Sequence, residues 1–216
     1  TVGSTGKVAT IALLAPAYDY AKSENAVRFR AKKVAAALVD IFTPFIDGHV
    51  SRYDDSFEPR AFGDNIQKWG TSTVLIESGG SKDDPEKMSI RKLNCVALLG
   101  ICYSIAAGDY EHADVSRYEQ LPQNTKNLYD IIISGLTLTF ADGVSPVVVD
   151  VGINTEESAD AKGVVQQKLK IVDIGDLSMH TSFQTIDAAG KSADSSEITI
   201  ERFVALNKLV SELKSI

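Results

Sequence analysis

Residues Val8 to Pro16 read Val-Ala-Thr-Ile-Ala-Leu-Leu-Ala-Pro, a short apolar run stopped by a proline. Such a run makes a strand only where both of its faces are covered, so the chain must build layers around it. The next segment supplies a layer. Ser23 is placed as an N-cap, and Val27, Ala31, Val34, Leu38, Ile41 and Phe45 step by four and three onto one helical face. Lys32, Lys33 and Asp40 fall off that stripe, and Asp47-Gly48 stops the helix. His49 to Tyr53 reads as a short strand and Asp54 to Lys68 as a polar segment. A second β-branched and apolar run, Thr71 to Glu77, lies between Gly70 and Gly79-Gly80. A second helix is predicted from Pro85 or Glu86 to Ala107, with Pro85 in its first turn. Leu93, Ala97, Gly100 and Ser104 give that helix a small-residue face suited to lying on a sheet. Strand, helix, strand, helix predicts an α/β layer with parallel strands.

The pattern changes after Gly108. Residues 109–127 are polar and loop-like. Tyr129 to Phe140 and Val147 to Ile153 read as strands joined by a hairpin turn at Ala141-Asp142-Gly143. Val164 to Ile174, Thr181 to Ile186 and Glu197 to Ile200 are further strand candidates, and Phe203, Leu206, Val210 and Leu213 suggest a closing helix. The expected organisation is an α/β domain over residues 1–118, then an accessory β-rich module over 119–216 that is antiparallel and ends in a terminal helix.

A formal charge of −7 with scattered Lys and Arg disfavours nucleic acid, which needs a concentrated basic surface. No stretch reaches the roughly 18 uninterrupted apolar residues of a membrane span, so none is expected. The first residues, Thr1 to Lys7, lack both an apolar signal core and an initiator Met, which reads as a processed or trimmed product. Cys95 and Cys102 are seven apart on one helix, about 10.5 Å in rise, beyond disulfide reach. They read as small buried hydrophobes. Gly3-Ser4-Thr5-Gly6-Lys7 precedes its strand, unlike a phosphate loop. Asp173, Asp176 and Asp187 lack the spacing of an EF-hand, and no Gly-x-Ser-x-Gly elbow occurs.

Glu77 is the residue that most suggests chemistry. A carboxylate after Val74-Leu75-Ile76 is costly unless it is paired or faces an opening. Open α/β sheets bind ligands at the carboxyl ends of their strands, and the glycines after Glu77 allow close backbone approach. The structural alternative is a carboxylate that caps the Pro85 helix or pairs with Arg60 or Arg91. Arg60 has its own choices: Asp64, Glu77, a loop salt bridge, or a bidentate contact to a substrate carboxylate. Trp69 is read as core or loop packing.

The stretch Arg60-Ala-Phe-Gly-Asp-Asn-Ile-Gln-Lys-Trp-Gly70, continued by Thr71-Ser-Thr-Val-Leu-Ile-Glu-Ser-Gly-Gly80, resembles the C-terminal half of the zinc carboxypeptidase (metallocarboxypeptidase) family. The order of elements over residues 1–108 resembles that half as well. The resemblance implies that Glu77 is the general acid/base of peptide or amide hydrolysis. A partly desolvated pocket is expected to raise its pKa towards the working range. The resemblance also places Asp64 and the adjoining Asn65 near the family's specificity-pocket aspartate, and Tyr53 near its mobile tyrosine over the substrate.

The histidines depart from the family. Its zinc is held by a His-x-x-Glu pair and a later histidine, whereas His49, His112 and His180 are followed three places on by Arg52, Val115 and Phe183. The resemblance therefore implies zinc in the parent protein, with its ligands upstream of Thr1, and no metal in this chain. It implies a peptide substrate, a missing N-terminal half of the peptidase domain, and a periplasmic or secreted setting. Apolar faces left open by that missing half would be covered most simply by self-association. The rival expectation is a non-catalytic peptide- or ligand-binding scaffold that keeps a degenerate peptidase fold.

Overall fold

The computed structural model of the chain describes residues 1–141 and 143–205, and it contains mixed helices and strands in two sheets. Two compact units emerge, Thr1–Lys126 and Asn127–Ile216.

The first unit is α/β. β1 (Ile11–Leu14) is buried along its whole length, as its composition requires. Helix α1 (Ala26–Ile46) comes next, then β2 (Val50–Arg52), helix α2 (Phe62–Lys68), β3 (Leu75–Ser78) and helix α3 (Met88–Ala107). A 3-10 turn (Asp109–His112) and a short helix α4 (Ser116–Glu119) complete the unit. The strands lie in the order β2-β1-β3. β1 and β2 are parallel, but β3 runs antiparallel to β1, which corrects the all-parallel expectation. The physical reason lies in the connection. From β2 the chain passes through α2 and enters β3 at the same end of the sheet, so β3 runs back along β1.

Ile11 and Leu13 join one core with Ala31, Leu38 and Phe42 of α1 and Ile90, Leu93 and Ala97 of α3. Asn25, not Ser23, caps α1, with its Oδ1 accepting the Arg28 N–H at 2.8 Å. The buried stripe is also rotated from the predicted one. It runs through Arg28, Ala31, Ala35, Leu38 and Phe42, while Phe45 is 64% exposed. Alanines 35 and 36 explain the rotation, because small side chains let a helix axis approach the strand closely. α3 begins at Met88 and not at Pro85, Lys87 is its N-cap residue, and the carboxylate of Asp84 further upstream accepts the N–H groups of Ser89 and Ile90. By length and composition α3 could cross a membrane, but it is the one such helix among the described residues. One such helix is weak evidence by itself, so a span is not clearly indicated.

Two expectations for packing fail. Cys95 and Cys102 are both exposed, and Trp69 is 73% exposed. The polar segments also hold more structure than their composition suggests, since α2 forms within Asp54–Lys68 and the 3-10 turn and α4 within 109–127.

The second unit holds β4 (Leu128–Thr139), β5 (Val147–Ala159), β6 (Val165–Gly175), β7 (Thr181–Asp187), β8 (Ser192–Asp194) and β9 (Phe203–Val204). The sheet order is β7-β4-β5-β6-β9, with β8 also on β4. β4, β5 and β6 form an antiparallel meander. β7 and β8 pair parallel to β4, so the sheet is mixed and not purely antiparallel. Alternation along a strand reports which face is buried and not which neighbour it takes. Glu197 to Ile200 is a turn region, not a strand. Phe203 lies in β9, and the closing-helix positions Leu206, Val210 and Leu213 lie outside the described residues.

Candidate functional site

Glu77 lies on β3 opposite Ala12 of β1. Alternation sends Val74 and Ile76 into the α1–α3 core, so Leu75 and Glu77 share the other side of the strand. Glu77 is exposed. The desolvated pocket expected for it is therefore not built by the described residues. Its backbone, by contrast, is held tightly. The Gly79 N–H donates to Thr10 O at 2.9 Å, and the amide of Asn94 on α3 donates to Ser78 Oγ at 2.8 Å. A Cβ on Gly79 would stand 2.0 Å from the carbonyl oxygen of Ala9. Only glycine lets the two strands close at this point. The end of β3 is thus fastened to β1 on one side and to α3 on another, with the Glu77 side chain projecting away from the core.

The other predicted site residues lie elsewhere. Tyr53 comes just after β2, its N–H donating to Leu13 O at 2.9 Å at the carboxyl end of β1. Glu77 is level with Ala12, towards the amino end of β1, so the rule of ligands at carboxyl ends of parallel strands does not apply to it. Arg60 pairs with neither Asp64 nor Glu77. Its guanidinium forks onto Glu58, Nε to Oε1 at 2.9 Å and Nη2 to Oε2 at 3.0 Å. Those hydrogen bonds hold the Glu58 carboxyl at about 2. Asp64 is buried in the first turn of α2 and accepts the Glu58 N–H at 2.9 Å. Asn65 donates to Pro59 O and Ala61 O at 2.8 and 2.9 Å. Arg60, Asp64 and Asn65 therefore come together as the staples of one loop-and-helix segment.

One charged cluster is not apparent from the sequence pattern alone. Arg28 is 4% exposed, and its Nη2 meets Asp55 Oδ2 at 2.6 Å while Nη1 donates to Lys22 O at 2.6 Å. Lys22 Nζ reaches the other Asp55 oxygen at 2.7 Å. A signal for it exists, since Arg28 stands three residues before Ala31 and seven before Ala35 on the buried stripe. Burial raises the Asp55 pKa, but the hydrogen bonds from Lys22 and Arg28 outweigh it and leave the carboxyl below its ordinary 3.8. The folded chain then binds fewer protons than the unfolded chain at acid pH. The pair's stabilisation is complete above 3.8 and is lost as pH falls through the lowered folded value. Asp55→Asn is expected to cost about 2 kcal/mol, because it strands a buried guanidinium. Urea unfolding at pH 7 measures this, and the difference from the parent chain should shrink in strong acid.

No family model, curated protein or solved structure matches this chain. Function must be argued from the residues themselves.

No three His, Cys, Asp or Glu side chains converge among the described residues. His49 Nδ1 bonds Val8 O at 2.8 Å, His112 lies on the 3-10 turn, and His180 stacks on Tyr129 in the second unit. Among the described residues, the three protein ligands that a catalytic zinc takes are not brought together.

Proposed function

We propose that the α/β unit is the carboxylate-bearing C-terminal portion of a zinc-dependent, carboxypeptidase-like metallopeptidase that hydrolyses peptide or amide bonds. The observation that carries this reading is the placement of Glu77. The carboxylate is exposed, and its strand is pinned by Gly79 and Ser78 within the segment that resembles the family. A carboxylate so held can take a proton from an attacking water and hand it to the leaving amine. Because the described residues offer no metal site, the reading requires the ligands to lie upstream of Thr1 in the parent.

The test is a longer parent protein that includes the sequence before Thr1. It should carry a His-x-x-Glu pair and a later histidine, bind about one zinc per chain, and cleave peptides. A parent with no such residues and no bound zinc would sink the proposal. One observation favours a second reading, a non-catalytic ligand-binding scaffold. Arg60, Asp64 and Asn65 are already engaged within their own loop. That scaffold would bind peptide equally well before and after chelation and would hydrolyse none.

A further inference from the structure

α3 is apolar on two opposite sides. Ile90, Leu93, Ala97 and Ile101 face the sheet core and are buried. At 100° per residue, Cys95 and Cys102 project from the far side, with Leu98 and Leu99 between them and Met88 two turns before Cys95. All five are exposed, Leu99 by 69%. This outer stripe is self-complementary. Positions 95 and 102 are equidistant from the midpoint between Leu98 and Leu99, and so are Lys92 and Ile105.

Charge follows the same arrangement. The charged residues of α3 itself, Arg91 and Lys92, stand in its first turns, Lys87 precedes them beside Asp83, Asp84 and Glu86, and Asp109 and Glu111 lie just past its carboxyl end. A parallel pairing of two such helices would stack like charges at each end. An antiparallel pairing brings Arg91 and Lys92 towards the acidic end of the partner helix twice, with Glu86 opposite Glu111, and it opposes the helix dipoles favourably.

We infer that the outer face of α3 docks against α3 of a second copy of this chain, antiparallel, across a two-fold axis between Leu98 and Leu99. The arrangement is isologous, so every contact occurs twice. It places Cys95 of each copy across from Cys102 of the other, although the two are out of reach within one helix. The contact uses the side of α3 turned away from the sheet core, and it does not rest on the peptidase reading.

Sedimentation of the full chain at about 100 µM, a concentration suited to an interface of one helix face, should report twice the monomer mass. Leu99→Lys, at an exposed position, should restore the monomer with an unchanged circular dichroism spectrum. Diamide, which accepts two electrons and two protons for each disulfide formed, supplies the register. The unaltered chain should give a covalent dimer. Cys95→Ser alone and Cys102→Ser alone should give none, and an equal mixture of the two variants should give one. A monomeric chain, a dimer indifferent to Leu99→Lys, or single-cysteine variants that cross-link with themselves would each overturn the inference. Protection of the stripe by the β unit of the same chain would show as the monomer.

Discussion

On the proposed peptidase reading, Glu77→Gln is expected to lower kcat/KM of the parent protein by about 10²- to 10⁴-fold, the usual contribution of a positioned acid/base group. The substitution keeps the shape of the side chain and removes its ability to carry a proton. Because Glu77 is exposed, folding should be unaffected, and the melting temperature of the variant should match that of the parent. This combination matters. A loss of activity with a loss of stability would make Glu77 a structural carboxylate, whereas activity within about twofold of the parent would remove it from the chemistry altogether. Peptide affinity, measured by inhibitor binding, should change far less than turnover, since the role assigned is proton transfer and not anchoring.

The second large effect is expected at Gly79. An alanine there would put its Cβ 2.0 Å from the Ala9 carbonyl oxygen, a backbone atom that cannot swing aside. The strands must part locally, breaking the bond from the Gly79 N–H to Thr10 O. Overpacking of this kind, with one buried backbone bond lost, should destabilise the α/β unit by about 3 kcal/mol. Urea unfolding followed by signals from that unit reads the change. On the proposed peptidase reading, Gly79→Ala should also impair hydrolysis by the parent protein, because Glu77 is two residues away on the strand that moves. Wild-type stability in Gly79→Ala would mean that β3 is not closed on β1 as described.

Much of the fold is legible in the sequence because apolar patterning is unambiguous where both sides of an element are covered. Val8–Pro16 has no polar face to expose, and β1 lies within it, fully buried. Gly48 and Gly108 end their helices where a positive φ is needed. The failures share a cause. Which partner a strand takes, and in which direction, depends on the path of the connection, so β3 beside β1 and β7 beside β4 are not written in their own residues. Faces are misjudged where alanines decide the packing, as in α1, and where a helix is apolar all round, as in α3, whose cysteines look internal. At the candidate site, Glu77 stands out through its position at the end of an apolar run. Arg60 wants a carboxylate and finds one, but its partner is Glu58, two residues back. Local geometry chose that partner over Asp64 and Glu77.

The first residues of the chain carry one more implication. The amino group of Thr1 donates to Thr125 O at 2.6 Å, the Thr125 N–H returns a bond to Thr1 O at 3.0 Å, and Val2 bridges Asn124. Residues 1–2 and 124–125 of the α/β unit therefore lie side by side. Topologically it is almost a ring, the condition under which circular permutation is tolerated. A short linker from Lys126 to Thr1, with new ends opened in the exposed turn at Lys82-Asp83, should leave its core intact. Polypeptide joined ahead of Thr1 and polypeptide following Lys126 would therefore leave the unit from neighbouring points.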